Sequence, residues 1–222
     1  GEYVTPKYQK LFFEEARKLI AKDLEENNFI EKIEDTLRPV PYGEKSNVEI
    51  QPYLTDQWFV DAKTLAAPAL KAVEDGRIKF VPKHWENTYF EWLNNIEPWC
   101  ISRQIWWGHQ IPAWYGPNGE VFVEKTENEA YQAARKTLGE NVVLTRETDV
   151  LDTWFSSALW PFTTLGWPNN LEELNRYYPT DTLITGFDII FFWVARMIMM
   201  GMYFIKDVPF KTVYIHALVR DE

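Results

Sequence analysis

The sequence has few of the residues that build disulfides and metal cages. One cysteine, Cys100, and three histidines occur among 222 residues. A single cysteine excludes an internal disulfide and a cysteine-rich zinc knuckle, and it fits a reducing compartment. No signal peptide is recognisable, because Glu2, Lys7 and Lys10 are not followed by an apolar stretch. We therefore expect a cytoplasmic protein that does not depend on disulfides.

Positive charge is also in short supply. Lys and Arg number 23 against 33 Asp and Glu, so the formal net charge is −10. An acidic balance argues against nonspecific coating of nucleic acid, although a local basic stripe can still bind phosphates. Hydrophobic residues make up 46% and aromatic residues 16% of the chain. This composition supports a substantial core and excludes a disordered or low-complexity protein.

Long apolar runs are nearly absent. The one candidate, residues 182–204, approaches the length of a membrane span but contains Asp188 and Arg196. Each such charge costs about 2.5–3.5 kcal/mol at the centre of a bilayer. We therefore interpret the run as the core of a soluble protein and expect no membrane partner.

Local patterns divide the first half of the chain into segments. Apolar residues recur at helical spacing over 11–28, and prolines between 31 and 55 indicate a linker with short extended pieces. A helix is predicted over 62–74, ended by Gly76, and a brief strand is predicted over 78–81. The linker is a candidate domain boundary.

The middle of the chain carries a further helix and a small inserted module. One helix face within 84–96 is predicted from apolar residues at spacings of four, four and three, namely Trp85, Tyr89, Leu93 and Ile96. The stretch AWYGPNGEVFVEK is typical of a β-hairpin, because Gly-Pro-Asn-Gly is turn chemistry between two β-rich arms. Thr126 and Glu129 form a capping-box pair for a helix that ends at Gly139, and a strand is predicted over 142–144.

The last third of the chain predicts a βαβ unit. A short strand is expected over 183–185, a helix over 188–204 and a second strand over 212–216. Strands joined by such a crossover are parallel, so a ligand is expected beyond their carboxyl ends, near residues 186–188 and 216–218.

Asp188 is the first candidate binding residue. At a strand-to-helix turn its carboxylate can accept hydrogen bonds from ribose hydroxyls, while Gly186 lets a ligand approach the backbone. The plainer alternative is that Asp188 only caps the N-terminus of its helix. The two roles are compatible, and the spacing leaves both open.

An apolar wall beside that turn is the second candidate. Ile189 and Trp193 lie four residues apart, so they share a face of an α-helix that could pack against Trp154. Ordinary core packing is the alternative for aromatic residues at helical spacing. Arg103 is a candidate contact for the end of a nucleic acid, with a solvated or core-paired arginine as the alternative.

The acids of the run DVLDTWFSSALW favour a structural interpretation. Asp149 and Asp152 are expected to be first-turn helix residues stabilised by the helix dipole. No neighbouring histidine is available to activate Ser156 or Ser157. Nucleophilic catalysis is therefore not expected here.

Three long motifs in order carry a resemblance to a known family. They are WCISRQIWWGHQIPAWY (99–115), DVLDTWFSSALWPFTTLGWP (149–168) and GFDIIFFWVARMIMM (186–200). Together they resemble the valyl-tRNA synthetases of class I, and TDQWFV (55–60) and PFKTVYIHALVRDE (209–222) extend the match. Isoleucyl-tRNA synthetases share CISRQ and a G-x-D turn, but their pattern lacks the segments SSALWPF and IIFFW that occur here.

The resemblance implies an activity and a fold. The family activates valine with Mg-ATP to valyl-adenylate, transfers it to the 3′ end of tRNA(Val) and edits threonine in the full enzyme. The implied fold class is α/β, the second half of a class I synthetase Rossmann fold. It has a parallel sheet, a βαβ unit and inserted hairpin and helix connective modules.

Site residues also follow from the resemblance. The valine pocket is implied to contain Trp154, Ile189 and Trp193. The residues implied to contact ATP and its adenosine are Gly186, Asp188, His216 and Ala217. Arg103 remains a weak candidate for contact with the tRNA end.

The resemblance also assigns the segments of the chain. Residues 1–54 are the tail of the editing insertion with a linker, 55–113 a connective region, 114–148 the hairpin-plus-helix insertion, and 149–222 the second half of the Rossmann domain. The family's H-I-G-H and K-M-S-K-S motifs do not occur in these residues. We therefore assign no catalytic residue and expect the segment to be inactive alone. In some relatives the hairpin insertion carries a cysteine zinc site, but no cysteine lies in that stretch here, so zinc is not expected. Three histidines leave little for any other metal site.

The partners implied are tRNA(Val), valine and ATP with Mg, and the full enzyme is expected to be a monomer. Three alternatives stay open. The chain is a noncatalytic binding or scaffold module derived from a synthetase, a fragment of the isoleucyl type, or an aromatic-rich protein that binds or hydrolyses carbohydrate. The last is suggested only by 11 tryptophans and surplus carboxylates.

Overall fold

The chain divides into two compact units, Gly1–Leu54 and Thr55–Glu222. The structure is a computed structural model that describes residues 5–37, 39–169 and 172–221. The assignment of the first unit to the end of an editing insertion stays a prediction. The same holds for the division of the second unit into connective and catalytic segments.

Unit 1 is built around helix α1, Phe13–Glu26, as the apolar spacing predicted. A single 3₁₀ turn, Pro6–Tyr8, precedes it. Asp23 of α1 ties the turn to the helix, because its carboxylate accepts a hydrogen bond from the Tyr8 hydroxyl at 2.7 Å and pairs with the Lys7 ammonium at 2.6 Å.

Unit 2 alternates short strands with helices. Its strands are β1 (Phe59–Val60), β2 (Lys79–Val81), β3 (Trp99–Cys100), β4 (Ser102–Arg103), β5 (Ala113–Tyr115), β6 (Val121–Val123), β7 (Thr145–Arg146), β8 (Val150–Leu151), β9 (Thr180–Gly186) and β10 (Phe210–His216). Its α-helices are α2 (Ala62–Glu74), α3 (Trp85–Asn94), α4 (Glu127–Leu138), α5 (Thr153–Ala158), α6 (Trp160–Thr163), α7 (Glu172–Tyr177) and α8 (Arg196–Phe204). The elements predicted over 62–74, 78–81 and 84–96 are confirmed.

A three-stranded parallel sheet in the order β2-β10-β9 organises unit 2. The central strand β10 pairs with β9 in parallel register, from Phe210 opposite Thr180 to His216 opposite Gly186. Phe210 and Val213 of β10 are buried beneath the helices. The predicted βαβ unit is therefore confirmed, and the carboxyl ends of β9 and β10 meet at one edge of the sheet.

Two apolar clusters hold the helices of unit 2. In the larger one, α2, α3 and α8 pack on the sheet, and the predicted face of α3 is buried at Tyr89 and Leu93. The Tyr89 hydroxyl donates to the carbonyl of Ala69 at 2.9 Å, so the phenol is buried without an unpaired donor. The second cluster surrounds Phe162 and Met200 and joins α5, α6 and α8. Because α8 contributes to both clusters, it links the sheet to α5.

The chain between β9 and α8 departs from regular α-helix. Phe187–Ile189 form a 3₁₀ turn and Ile190–Ala195 form a π-helix. Regular α geometry begins only at Arg196. The helix predicted over 188–204 is therefore correctly located but wrong in geometry over its first part. π-helical segments widen the turn by i→i+5 hydrogen bonding and occur frequently at functional sites.

The same segment, Phe187–Phe204, is long and apolar enough to cross a membrane, and no other described helix is. Half of it is buried inside the protein. A buried apolar helix is typical of the core of a soluble protein, so its length and composition are weak grounds for a membrane span. The expectation of no membrane partner stays a prediction.

The predicted hairpin insertion forms a small antiparallel sheet in the order β6-β5-β7. β5 and β6 pair across the Gly-Pro-Asn-Gly turn. Helix α4 then begins with the predicted capping box. The Thr126 hydroxyl accepts the Glu129 N–H at 3.3 Å, and the Glu129 carboxylate accepts the Thr126 N–H at 3.0 Å. The hairpin and the capped helix are both confirmed.

The third strand of this small sheet differs from the prediction over 142–144. The strand β7 lies at 145–146, because these two residues align with Tyr115 and Trp114 of β5. The N–H of Leu144 instead donates to the Tyr131 hydroxyl of α4 at 3.5 Å. The start of β7 is set by its register against β5, and the apolar run Val-Val-Leu does not encode that register.

Candidate functional site

The carboxyl ends of β9 and β10 form an open corner. Gly186 ends β9, His216 ends β10, and the two are register partners. Asp188 follows in the 3₁₀ turn and Ala217 follows His216, and both are exposed. We call these four residues the strand-end corner. The structure brings them to one edge because the strands are parallel, and this edge is where α/β sheets bind ligands.

The Asp188 carboxylate lies directly over Gly186. A methyl group added at Gly186 would approach Asp188 Oδ1 to 2.5 Å and Leu218 to 3.4 Å, so a larger residue would displace the carboxylate. The alternative that Asp188 caps its helix is wrong, because Gly186 holds the cap position and no side chain bonds there. Within the described part of the chain, the Asp188 carboxylate accepts no hydrogen bond and makes no ion pair. Its oxygens are therefore available to a ligand.

Neighbouring rings are held on both sides of the strand-end corner. Phe187, between Gly186 and Asp188, stacks on Trp85 with ring centroids 5.2 Å apart and planes 7° from parallel. At the other strand, Nδ1 of His216 lies 2.9 Å from the carbonyl oxygen of Ala217. The stacking of Phe187 fixes the 3₁₀ turn and with it the position of Asp188.

Trp154 and Trp193 lie on two segments that pack against each other. Trp154 of α5 places its ring 5.8 Å from Phe192 of the π-helix. Trp193 of the π-helix donates from Nε1 to the carbonyl of Ser157 in α5 at 3.1 Å, and meets Trp160 edge-on at 6.3 Å. Both indoles are half-buried. Trp154 therefore contacts the π-helix that carries Trp193, and Trp193 contacts α5, which carries Trp154. Both indoles keep an accessible surface.

The backbone of Ile189 differs from the predicted α-helical geometry. Its backbone, with φ −114° and ψ 18°, ends the 3₁₀ turn and precedes the π-helix. The argument that Ile189 and Trp193 share a face of one α-helix does not hold, because Ile189 ends the 3₁₀ turn with non-helical dihedral angles while Trp193 lies in the π-helix. Ile189 is half-buried, and its place in the chain is between Asp188 and the π-helix.

Asp152 is a buried carboxylate to which the sequence analysis gave only a helix-terminus role. It does cap α5, because Oδ1 accepts the N–H of Trp154 at 3.2 Å. Its Oδ2 lies 2.9 Å from Trp99 Nε1, 2.9 Å from Arg103 Nη2 and 3.7 Å from Arg196 Nη1. We call Asp152, Trp99, Arg103 and Arg196 the Asp152 cluster.

Arg196 is the buried cation of this cluster. It is only 6% exposed, and its guanidinium carbon lies 3.8 Å from the Trp99 ring centroid, with Phe191 and Phe192 within 5.5 Å. Burial lowers the pKa of Arg196 to about 10, the Asp152 carboxylate opposing this and Arg103 adding to it. The guanidinium therefore remains charged at neutral pH. In the sequence, the sign of a buried cation was that Arg196 is an arginine within an otherwise apolar run.

Arg103 adopts the core-paired alternative. Its Nη1 donates to the carbonyl of Cys100 at 3.0 Å while Nη2 pairs with Asp152. Contact between Arg103 and a tRNA end stays a prediction. The guanidinium charge of Arg103 is already paired with the Asp152 carboxylate. Asp149 precedes strand β8 and accepts a hydrogen bond from Gln104 at 2.6 Å, so the helix-dipole interpretation is wrong for Asp149.

The sequence profile of the family described as tRNA synthetases class I (I, L, M and V) matches residues 11–222. The match covers nearly the whole chain. The chain belongs to the class I tRNA synthetases. The family resemblance predicted from the three motifs is thereby confirmed, and the α/β fold with a parallel sheet agrees with it.

Relatives of this chain include proteins named valine–tRNA ligase. The protein of Caulobacter vibrioides is 65% identical over 207 residues, that of Brucella suis 63% over 207 residues, and that of Rhodopseudomonas palustris 61% over 226 residues. Each match covers 93% of this chain. The chain spans about a quarter of the length of these relatives, 23–24%.

A solved synthetase structure shares the fold. The methionyl-tRNA synthetase of Mycobacterium tuberculosis in complex with methionyl-adenylate matches 80% of this chain and 29% of its own length, with a TM-score of 0.50 and 17% identity. At this identity the match supports the fold alone.

The described residues contain no group of side chains that could bind a metal ion. No three His, Cys, Asp or Glu side chains among them group closely enough to hold an ion. The family implies Mg bound with ATP, but these residues do not fit a protein site for it. The absence of zinc from the hairpin insertion stays a prediction.

Proposed function

We propose that this chain is part of a valine–tRNA ligase, which activates valine with ATP to valyl-adenylate and transfers it to the 3′ end of tRNA(Val). The observation that carries this proposal is the free Asp188 carboxylate at the ends of two parallel strands. It lies a few residues from the indole-bearing π-helix in a chain 60–65% identical to valine–tRNA ligases. We also propose that the protein is cytoplasmic and monomeric.

The strand-end corner is suited to the adenosine part of the adenylate. Asp188 accepts hydrogen bonds from the ribose hydroxyls, and a charged acceptor makes these bonds stronger than neutral ones. Gly186 leaves room for the ribose, because a side chain there would collide with the carboxylate that binds it. The exposed backbone after β10, at His216 and Ala217, passes beside the adenine.

The two indoles are suited to a small apolar side chain. In the proposed pocket, Trp154, Ile189 and Trp193 enclose the valine methyl groups and reject isoleucine because its additional methylene does not fit. An apolar slot does not strongly reject threonine, which has nearly the shape of valine, and the family's known solution is a separate editing site. Editing of threonine therefore belongs to the proposed full enzyme and to residues outside this pocket.

A chimeric enzyme tests the proposal. The matching 207-residue segment of the Caulobacter vibrioides valine–tRNA ligase is replaced by that of this chain, and valine-dependent ATP–pyrophosphate exchange is measured. We expect exchange with valine and little with isoleucine. The 222 residues alone, which lack the family's H-I-G-H and K-M-S-K-S motifs, are expected to show none. A chimera that folds but prefers another amino acid would refute the valine assignment.

The ribose contact makes a separate prediction. Asp188→Asn in the chimeric enzyme removes a charged acceptor, so the KM for ATP should rise by about tenfold or more, the usual worth of a hydrogen bond to a charged group. The KM for valine should change much less. Asp181→Asn is the matched control, since Asp181 lies near the opposite end of β9 and pairs only with Lys211 among the described residues. An unchanged KM for ATP in Asp188→Asn would argue against the ribose contact.

A further inference from the structure

The Asp152 cluster connects the two segments that carry the proposed valine pocket. Asp152 begins α5, and its carboxylate binds the backbone N–H of Trp154. Arg196 begins α8 directly after the π-helix and lies three residues beyond Trp193. An ion pair between Asp152 and Arg196 therefore joins the start of one wall segment to the end of the other.

The position of the Arg196 guanidinium is set by rings rather than by hydrogen bonds. Its Nη1 is 3.7 Å from Asp152 Oδ2, too far for a hydrogen bond, and Nη1 has no hydrogen-bond partner in the described residues. The group is instead stacked over Trp99, whose Nε1 donates to the same Oδ2. A buried cation held in this way is costly for stability alone, which points to a role in geometry.

Phe191 and Phe192 carry the effect of Arg196 into the π-helix. Both rings lie within 5.5 Å of the guanidinium carbon, and Phe192 is the ring that Trp154 contacts. Arg196 is therefore linked to Trp154 in two ways. It pairs with Asp152, which binds the backbone N–H of Trp154, and it contacts the Phe192 ring, which lies beside the Trp154 ring. It is linked to Trp193 by the π-helix, which contains Trp193 and ends directly before Arg196.

We propose that Arg196 is a positioning residue that sets the width of the amino-acid slot. It holds α5 and the π-helix at one spacing through the Asp152 carboxylate and the rings of Trp99 and Phe192. The inference rests on the proposed function for the identity of the slot. It assigns the choice between valine and larger amino acids partly to a residue that does not touch the substrate.

The test compares amino-acid specificity with stability. In the chimeric enzyme, Arg196→Met preserves the stem and removes the charge. We expect the KM for valine to rise by at least about tenfold, and the preference for valine over isoleucine in kcat/KM to fall by about fivefold or more, because small misplacements of a slot wall are amplified in rate and selectivity. Arg196→Lys, which restores the charge, should recover part of the preference. The KM for ATP should stay within about twofold, since the strand-end corner is unchanged.

Arg146→Met is the matched control. Arg146 also lies over an indole, 5.5 Å from the Trp114 ring, but it belongs to the antiparallel sheet of the hairpin insertion. It should leave both KM values and the preference unchanged. If Arg196→Met lowers thermal stability while the valine preference is retained, Arg196 is only structural and the inference is wrong.

A second measurement does not depend on activity. In the 222-residue chain labelled with 5-fluorotryptophan, ¹⁹F resonances of Trp154 and Trp193 are assigned by Trp→Phe variants. Both should shift in Arg196→Met and Arg196→Lys, while the Trp114 resonance stays in place. Unmoved Trp154 and Trp193 resonances would overturn the inference whatever the activity. Shifted resonances together with a chimera that does not use valine would overturn the proposed function and leave the positioning role standing.

Discussion

Trp154→Ala in the chimeric enzyme should lower kcat/KM for valine by about tenfold to a hundredfold. An apolar pocket contact with one methylene-sized group is worth about 1–3 kcal/mol, and 1.4 kcal/mol corresponds to a factor of ten in rate. Trp154 is half-buried and keeps a surface for such a contact. Because the slot becomes wider, the preference for valine over isoleucine should also fall. Valine-dependent and isoleucine-dependent ATP–pyrophosphate exchange measure both quantities.

Two companion variants make this result specific. Trp154→Phe keeps a ring beside Phe192, so it should retain most of the activity while relaxing the preference slightly. Trp106→Ala removes an indole that is 94% exposed and should leave amino-acid activation unchanged. If Trp154→Ala weakened ATP and valine use equally, Trp154 would act on the fold rather than on the slot.

Phe210→Ala should destabilise the chain by about 3–5 kcal/mol, the range for removing a large aromatic side chain from a core. Phe210 is 2% exposed and begins the central strand of the parallel sheet, so the cavity lies where β2, β9 and the helices meet. Urea unfolding of the 222-residue chain, followed by far-UV circular dichroism, gives the change in the free energy of unfolding.

Phe59→Ala is the matched control for this stability prediction. Phe59 also lies in a strand but is 58% exposed, and its loss should cost within about 0.5 kcal/mol. Equal losses for the two variants would mean that the parallel sheet does not form the core of the isolated chain. A Phe210→Ala variant that lowered both the midpoint and the slope of the unfolding free energy against urea concentration would indicate either a change in compactness of the folded or unfolded state or the loss of two-state unfolding.

Local signals in the sequence were sufficient for most elements. The capping box at Thr126 and Glu129, the Gly-Pro-Asn-Gly turn and the apolar face of α3 all involve residues within a few positions of each other. The interactions that form them are made inside the segment, so the pattern predicts them without knowledge of the rest of the chain. The βαβ unit was predictable for a different reason: a helical crossover between two strands of one sheet makes them parallel whatever their exact register.

Features whose geometry depends on residues distant in sequence were not predicted. The strand predicted over 142–144 moved to 145–146 because its partner β5 lies about thirty residues earlier and sets the register. The π-helix at 190–195 interrupts a run whose letters favour an α-helix. The Asp152 cluster joins residues from 99 to 196, and no local spacing brings these together.

The sequence by itself determined the family, the order of the elements and the edge of the sheet at which a ligand is expected. Only the tertiary structure decided that Asp188 is free rather than a helix cap, that Arg103 is paired, and that Trp154 and Trp193 belong to segments tied through Asp152 and Arg196. The physical reason is the range of the interactions. Backbone patterns form between neighbours in sequence, whereas the burial and pairing of a charge depend on every element that surrounds it.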